Sequence, residues 1–180
     1  MKSYRILFFI SSLVSGGAEH HLLNLCRFLK SYSHKVAVCT LSEREDGLES
    51  TMLLNDINIY RLSILSLRGL AAPRKLIALR RIVKRFQPDL IHSHLYHAEV
   101  VSALASLFSG APLLATRHSE GLEFEGRRRW MVRLIRSRFD SVIAVSRGSA
   151  AEAVEMGYPR ERVFTVPSGV DTRKFRPLDE

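Results

Sequence analysis

The chain alternates short apolar runs with helical patterns along almost its whole length. Short apolar runs between turn residues are typical of buried strands, and apolar residues with helical spacing indicate helices. The strand-like runs lie at residues 5–10, 36–41, 57–62, 90–92, 113–116, 142–145 and 163–166. Because parallel strands need long crossover connections, the alternation predicts an α/β fold, a Rossmann-like parallel sheet with helices on both faces.

Helical patterns fill the intervals between these runs, at residues 18–31, 48–54, 97–108 and 127–138. Pro73 is predicted to begin a further helix, since proline suits the first helical position. Ser146 is predicted to be the N-cap of the last helix, because a hydroxyl oxygen can accept a hydrogen bond from the first turn. The sequence therefore contains all the connections that a parallel sheet requires.

Length and composition limit the chain to one domain in a reducing compartment. Its 180 residues are 46% hydrophobic, enough for one core of ordinary size. Cys26 and Cys39 lie among apolar residues without CxxC or disulfide spacing, so we expect buried thiols in a cytoplasmic protein. Residues 2–10 also resemble the start of a secretory signal, but cleavage would remove the first strand of the pattern.

Basic residues outnumber acidic ones, at 27 to 18, and the net charge of +9 favours an anionic partner such as nucleic acid, a lipid surface or a phosphorylated ligand. Residues 57–88 and 127–138 contain no acid. On a helix, the second segment would place an apolar stripe of Trp130, Met131, Leu134 and Ile135 beside its arginines. The same pattern also suits a core-facing helix with a solvated back.

A glycine pair, Gly16 and Gly17, stands between the first strand-like run and the first helix. Glycines let a backbone approach a ligand closely, and a helix N-terminus directs unpaired N–H groups and positive dipole charge into the same space. The pair predicts an anion site, although it is also typical of an ordinary tight turn. Because GxGxxG, GxxxxGK[ST] and GxSxG motifs are absent, dinucleotide, triphosphate and serine-ester chemistry are disfavoured.

Further polar residues follow the ends of the predicted strands, where ligands bind in parallel α/β sheets. They are His94, Arg117, His118, Ser146, Ser168 and Gly169. His92 and His94 alternate along one strand and share a face, but without a nearby Asp, Glu or Cys they make a poor zinc site, so we expect no metal. His20 and His21 are interpreted as a solvated helix turn.

Five segments resemble, in order and spacing, the N-terminal domain of family 4 retaining glycosyltransferases of the GT-B fold. They are GGAE at 16–19, QPDLIHSH at 87–94, TRH at 116–118, SVIAVS at 141–146 and VPSGVDTRKF at 166–175. The resemblance implies two Rossmann-like domains facing each other across a cleft, with the acceptor on the N-terminal one. We expect residues 1–172 to be that domain and 173–180 to begin the linker, with the donor-binding domain absent from this sequence.

The resemblance also implies roles for individual residues. Gly16 and Gly17 match the loop that approaches the donor diphosphate, and His118 matches the catalytic position whose imidazole lies against the donor sugar. Five further residues are implied to line the acceptor side or the cleft: His94, Arg117, Ser146, Ser168 and Gly169. Ser168 stands where the family often has Asn, and Phe139 where a small residue often precedes Asp. Ser168 therefore weakens the expectation of a specific donor contact at that position.

The implied function is transfer of a sugar, with retention, from a nucleotide-sugar donor to a glycan or lipid-linked acceptor in polysaccharide or lipopolysaccharide biosynthesis. No cofactor is expected, and this domain alone should be inactive. Membrane contact at the inner face is expected for the basic residues Arg127, Arg128, Arg129 and Arg133. Two alternatives remain: a basic nucleic-acid-binding module, for which no reader motif is present, and another enzyme that binds sugar nucleotides. We expect no nucleic-acid partner.

Overall fold

A computed structural model describes residues 2–43, 48–64, 73–118, 127–169 and 172, without the side chains of residues 127 and 128. The predicted linker at 173–180 lies outside these residues. Seven strands form one sheet in the order β3-β2-β1-β4-β5-β6-β7. They are β1 Arg5–Ile10, β2 Lys35–Thr40, β3 Asn58–Arg61, β4 Leu90–His94, β5 Leu113–Arg117, β6 Ser141–Ala144 and β7 Val163–Thr165.

Every strand pair is parallel, so the predicted Rossmann-like sheet is confirmed. The helices are α1 Gly17–Ser31, α2 Leu48–Leu54, α3 Pro73–Phe86, α4 Tyr96–Ser106, α5 Arg127–Ile135 and α6 Arg147–Glu155, with short 3₁₀ turns at Arg136–Arg138 and Arg160–Arg162. From β1 the chain first adds β2 and β3 on one side of the sheet and then adds β4 to β7 on the other side of β1. In open α/β sheets, ligands bind beyond the carboxyl ends of the strands at such a switch point.

Alternate residues of β1 pack into two different cores. Phe8 belongs to a cluster with Leu22 of α1 and Met52 of α2. Phe9 belongs to the other cluster, with Leu79 of α3 and Val101 of α4. Because successive side chains of a strand point to opposite faces, these two clusters place helices on both sides of the sheet, as predicted.

Several local predictions are also confirmed. Pro73 begins α3. Ser146 is the N-cap of α6, and its Oγ accepts a hydrogen bond from the backbone N–H of Ser149 at 3.0 Å. Cys26 and Cys39 are both buried free thiols. Of the helices in the described part of the chain, none has the length and apolar character needed to cross a bilayer.

The basic helix differs from its prediction in length and in its apolar face. It ends at Ile135, and Arg136–Arg138 continue as a 3₁₀ turn. Val132 is fully buried, and Met131 and Ile135 pack against the core. The predicted stripe is therefore divided, because Trp130 and Leu134 are 61% and 55% exposed on the other side of the helix.

Candidate functional site

The glycine pair begins α1 at the end of β1, and its two residues have different surroundings. Gly16 is the extended N-cap of the helix, and a Cβ there would lie 2.5 Å from Oε2 of Glu19. Glu19 is 8% exposed, and its carboxylate in the first turn suits the helix dipole. A Cβ on Gly17 would meet nothing within 4 Å. The backbone at Gly17 is thus open to an approaching group.

His118 and His94 lie side by side at the carboxyl ends of neighbouring strands. β5 ends at Arg117, and His94 is the last residue of β4, paired in register with Thr116. Nδ1 of His94 and Nε2 of His118 are 2.9 Å apart. The ring planes are inclined by 26°, and the ring centroids are 5.2 Å apart. His94 is fully buried, so the prediction that it lines the cleft surface is wrong.

His21 connects this histidine pair to the glycine loop, and the sequence interpretation missed it. Its ring is edge-on to the ring of His118, with the centroids 5.2 Å apart, and its centroid lies 6.0 Å from that of His94. The available signal was its position one helical turn after Gly17, on the same face of α1. His20, by contrast, points to Ser15, with Nε2 and Oγ 2.9 Å apart. The start of α1 and the end of β5 therefore border one space.

Burial keeps these histidines neutral. Desolvation, with smaller effects of His21 and His118, lowers the pKa of His92 to about 3. Desolvation and the neighbouring histidines hold the pKa of His94 well below its usual range. Desolvation, assisted by His21, lowers the pKa of His118 to about 4. Burial also lowers the pKa of His21. At neutral pH the cluster therefore donates and accepts hydrogen bonds without a positive charge.

The histidine cluster lacks the geometry of a metal centre. Among the residues that the structure describes, no group of three or more His, Cys, Asp and Glu side chains is arranged to hold an ion. His92 instead has its Nε2 2.7 Å from Oγ1 of Thr116, and its ring lies 4.6 Å from that of His94.

The structure corrects the expectation that Arg117 lines the cleft. Its side chain is 3% exposed, and its Nη2 lies 3.0 Å from Oε2 of Glu99, which is 1% exposed. The hydroxyl of Tyr158 donates to the same carboxylate oxygen at 3.3 Å, and the guanidinium lies over the tyrosine ring. Arg117 directly precedes His118, and successive residues of a strand point to opposite faces, so Arg117 extends into the core.

The other predicted residues have surroundings of their own. Ser146 caps α6 with its side-chain oxygen, which accounts for its position after β6. Ser168 and Gly169 are exposed beyond β7, and β6 separates that strand from β5. Arg129 and Arg133 are exposed on α5, whereas the side chains of Arg127 and Arg128 are outside the described part. The structure therefore brings the start of α1, with Gly16 and Gly17, close to His118 and His94 through His21.

Solved structures with this fold include a complex with UDP and glucose, a galactosyltransferase and an epimerase. Anabaena Alr3699/HepE in complex with UDP and glucose matches with a TM-score of 0.77 and 23% identity, over 94% of this chain and 46% of that one. The lipopolysaccharide outer core galactosyltransferase WaaB matches with a TM-score of 0.68 and 15% identity, over 92% of this chain and 46% of that one. UDP-GlcNAc 2-epimerase from Neisseria meningitidis matches with a TM-score of 0.62 and 15% identity, over 91% of this chain and 46% of that one.

At these identities the likeness shows the fold alone, and the chain spans less than half the length of these proteins. Its seven-stranded sheet corresponds to one Rossmann-like domain of the GT-B fold. A search of curated proteins finds no significant match. The sequence profile of Glycosyltransferase Family 4 matches residues 15–174. Since that match includes both the glycine loop and His118, the chain belongs to Glycosyltransferase Family 4.

Proposed function

We propose that this chain is the acceptor-side domain of a retaining glycosyltransferase, which moves a sugar from a nucleotide-sugar donor to a glycan or lipid-linked acceptor. The observation that supports this most is the contact between the rings of His21 and His118, whose centroids are 5.2 Å apart. This contact brings the N-terminus of α1 and the end of β5 to one space. HepE, which has the same fold, is in complex with UDP and glucose, and this supports a donor of that class.

In this proposal the donor diphosphate lies against Gly16 and Gly17. Backbone N–H groups at the start of α1 and the positive end of its dipole stabilise negative charge there. The open backbone at Gly17 permits close approach of a phosphate oxygen. His118 is neutral, so it hydrogen-bonds the donor sugar and does not neutralise the phosphates.

The reaction then proceeds on one face of the sugar. The bond between the anomeric carbon and the phosphate oxygen breaks, and the acceptor oxygen forms its bond to that carbon from the same side. The acceptor proton passes to the leaving phosphate. Within this chain, catalysis consists of positioning by His118 and of charge stabilisation at the start of α1, which grows as the diphosphate leaves.

A second Rossmann-like domain is proposed to hold the nucleotide. The helix N-terminus supplies only one wall of a cleft, so water would replace the missing groups in this domain alone. We therefore expect the 180-residue chain by itself to transfer no sugar and to bind nucleotide-sugars weakly. Calorimetric titration with UDP- and GDP-sugars tests this point, and micromolar affinity for the chain alone would contradict it.

Contact with an anionic membrane surface at the cytoplasmic face is also part of the proposal. Arg129 and Arg133 are exposed on α5, on a helix that also exposes Trp130 and Leu134. Each basic residue near an anionic surface contributes about 1 kcal/mol to binding. WaaB, a lipopolysaccharide galactosyltransferase of the same fold, supports an acceptor that is attached to lipid.

The test is an assay of the protein that contains this chain together with its donor-binding domain. It is incubated with nucleotide-sugars and lipid-linked acceptors, and the anomeric configuration of the product is read by NMR. Retention, with loss of roughly a hundredfold in turnover on replacing His118 by Ala, is expected. An inverted product would contradict the mechanism. An isomerised sugar nucleotide without transfer would favour an epimerase, the class of the Neisseria meningitidis relative.

A further inference from the structure

The contact between His94 and His118 requires that one imidazole donates and the other accepts. Their nearest nitrogens, Nδ1 of His94 and Nε2 of His118, are 2.9 Å apart, which is a good hydrogen-bond distance. A neutral imidazole carries its proton on one nitrogen and a lone pair on the other. Burial lowers the pKa of both residues, so both rings are neutral at pH 7. The direction of this bond thus decides the tautomer of each ring.

The second nitrogen of His94 indicates the direction. Its Nε2 atom is buried and has no hydrogen-bond partner among the residues that the structure describes. If His94 accepted at Nδ1, its proton would be on Nε2, as an orphaned buried N–H. If His94 donates from Nδ1, its Nε2 carries a lone pair that has no partner. Among buried backbone groups, orphaned N–H donors are rarer than under-satisfied acceptors, and the same preference applied to the imidazole favours the second arrangement.

We propose that His94 donates from Nδ1 to Nε2 of His118 and thereby holds His118 in the Nδ1–H tautomer. The contact uses Nε2 of His118 and leaves Nδ1 for a ligand. His118 consequently presents a neutral N–H donor at the rim of the sheet. His94 is a positioning residue, which acts on the ligand only through His118.

This tautomer determines what the site recognises. The ligand atom at His118 must be a hydrogen-bond acceptor, such as the oxygen of a sugar hydroxyl or of a phosphate. His118 does not serve as a general base there, because Nδ1 carries a proton and the lone pair of Nε2 is used by His94. The nature of this ligand rests on the proposed function, whereas the tautomer rests on the contact between the two histidines and on the buried Nε2 of His94.

Long-range ¹H–¹⁵N NMR on the 180-residue chain, labelled with ¹⁵N at histidine, measures the tautomer directly. The expected spectrum shows a protonated Nδ1 and an unprotonated Nε2 for His118 at pH 7. A protonated Nε2 on His118 would overturn the proposal, and this result needs no variant. Neither outcome depends on glycosyl transfer, so failure of the tautomer and failure of the proposed function are distinguishable.

Two substitutions of His94 add an independent test. His94→Phe removes the donor, and His118 should then shift towards the Nε2–H tautomer that free imidazole favours. His94→Asn keeps an N–H donor near the same place and should retain the Nδ1–H tautomer. His92→Asn is the matched control, because His92 lies on the same strand and contacts Thr116. An unchanged His118 spectrum in folded His94→Phe would overturn the proposal.

The same variants in the sugar-transferring protein separate positioning from folding. His94→Phe should lower kcat by roughly ten- to a hundredfold, as misplacement of a contact group does, while His94→Asn recovers most of it. In the wild-type protein, kcat/KM measured between pH 5 and 8 should not increase with pH through deprotonation of His118. Such a rise, abolished by His118→Ala, would identify His118 as a base and contradict the tautomer.

Discussion

Arg117 and Glu99 form an ion pair at 3.0 Å in which both side chains are almost completely buried. The pair joins the last residue of β5 to α4, and Tyr158 adds a hydrogen bond to the same carboxylate. Taking two charges out of water is unfavourable, so each partner depends on the other. This ion pair lies under the rim that holds His118 and supports it.

Breaking the pair should destabilise the domain. Glu99→Gln removes the carboxylate that is hydrogen-bonded to the buried guanidinium, and we expect a loss of about 3–5 kcal/mol in the free energy of unfolding. The double variant Glu99→Leu with Arg117→Met removes both charges and should lose much less. Urea denaturation of the single and double variants measures both values. A double variant as unstable as the single one would contradict this account.

Acidification should destabilise the fold through the buried histidines. Burial lowers the pKa of His92 to about 3, whereas the unfolded chain has the ordinary value of 6.5. Between these values the unfolded state binds more protons, so stability is complete above pH 6.5 and falls as the pH decreases towards 3. At pH 5 this one histidine should lower the free energy of unfolding by about 2 kcal/mol.

Urea denaturation at pH 7 and pH 5 measures the pH effect. The comparison is repeated with His92→Asn, which removes one titrating group from the cluster. We expect the difference between the two pH values to be smaller in that variant. An equal difference in both proteins would assign the pH dependence to other groups.

The two glycines of the loop should respond differently to alanine. A Cβ on Gly17 meets nothing within 4 Å, and Ala is the better helix former, so Gly17→Ala should leave stability unchanged or raise it by up to about 1 kcal/mol. The same methyl group would obstruct a phosphate at the start of α1. We therefore expect the KM for donor to rise while the thermal midpoint does not fall.

Gly16→Ala is the matched comparison for Gly17→Ala. Its Cβ would displace the carboxylate of Glu19 from the start of α1, because the two would be 2.5 Å apart. Losing this charge at the helix N-terminus should reduce stability by about 0.3–1 kcal/mol. Thermal unfolding and donor kinetics of both variants provide the test. Unaltered donor kinetics in Gly17→Ala would show that no ligand uses the open backbone.

The arginines of α5 should bind anionic lipid vesicles. Replacing Arg127, Arg128 and Arg129 together by Gln should weaken binding by about 3 kcal/mol at low salt, since each contributes about 1 kcal/mol. The control replaces Arg80 and Arg81, which are exposed on α3. Cosedimentation with anionic and neutral vesicles measures the effect. Equal binding to both kinds of vesicle, or an equal loss in the control, would contradict this surface assignment.

Local properties of the chain were predictable because their causes are local in sequence. The apolar run of β1 predicts a buried strand, and Ser146 and Pro73 stand at helix starts where their chemistry is favourable. The alternation of strands and helices predicts parallel pairing, because each helix supplies the crossover that parallel strands need. The glycine pair and His118 were both identified from their positions at strand ends and from the family resemblance.

Tertiary packing decided which side chains face the site. Arg117 and His118 are adjacent in sequence, but alternation along the strand sends one to Glu99 in the core and the other to the rim. His21 joined the cluster only because α1 packs where its second turn meets the end of β5. Trp130 and Leu134 were left exposed because Val132 faces the core. These contacts join residues distant in sequence, so periodicity along the chain determines the elements, and packing between them determines the site.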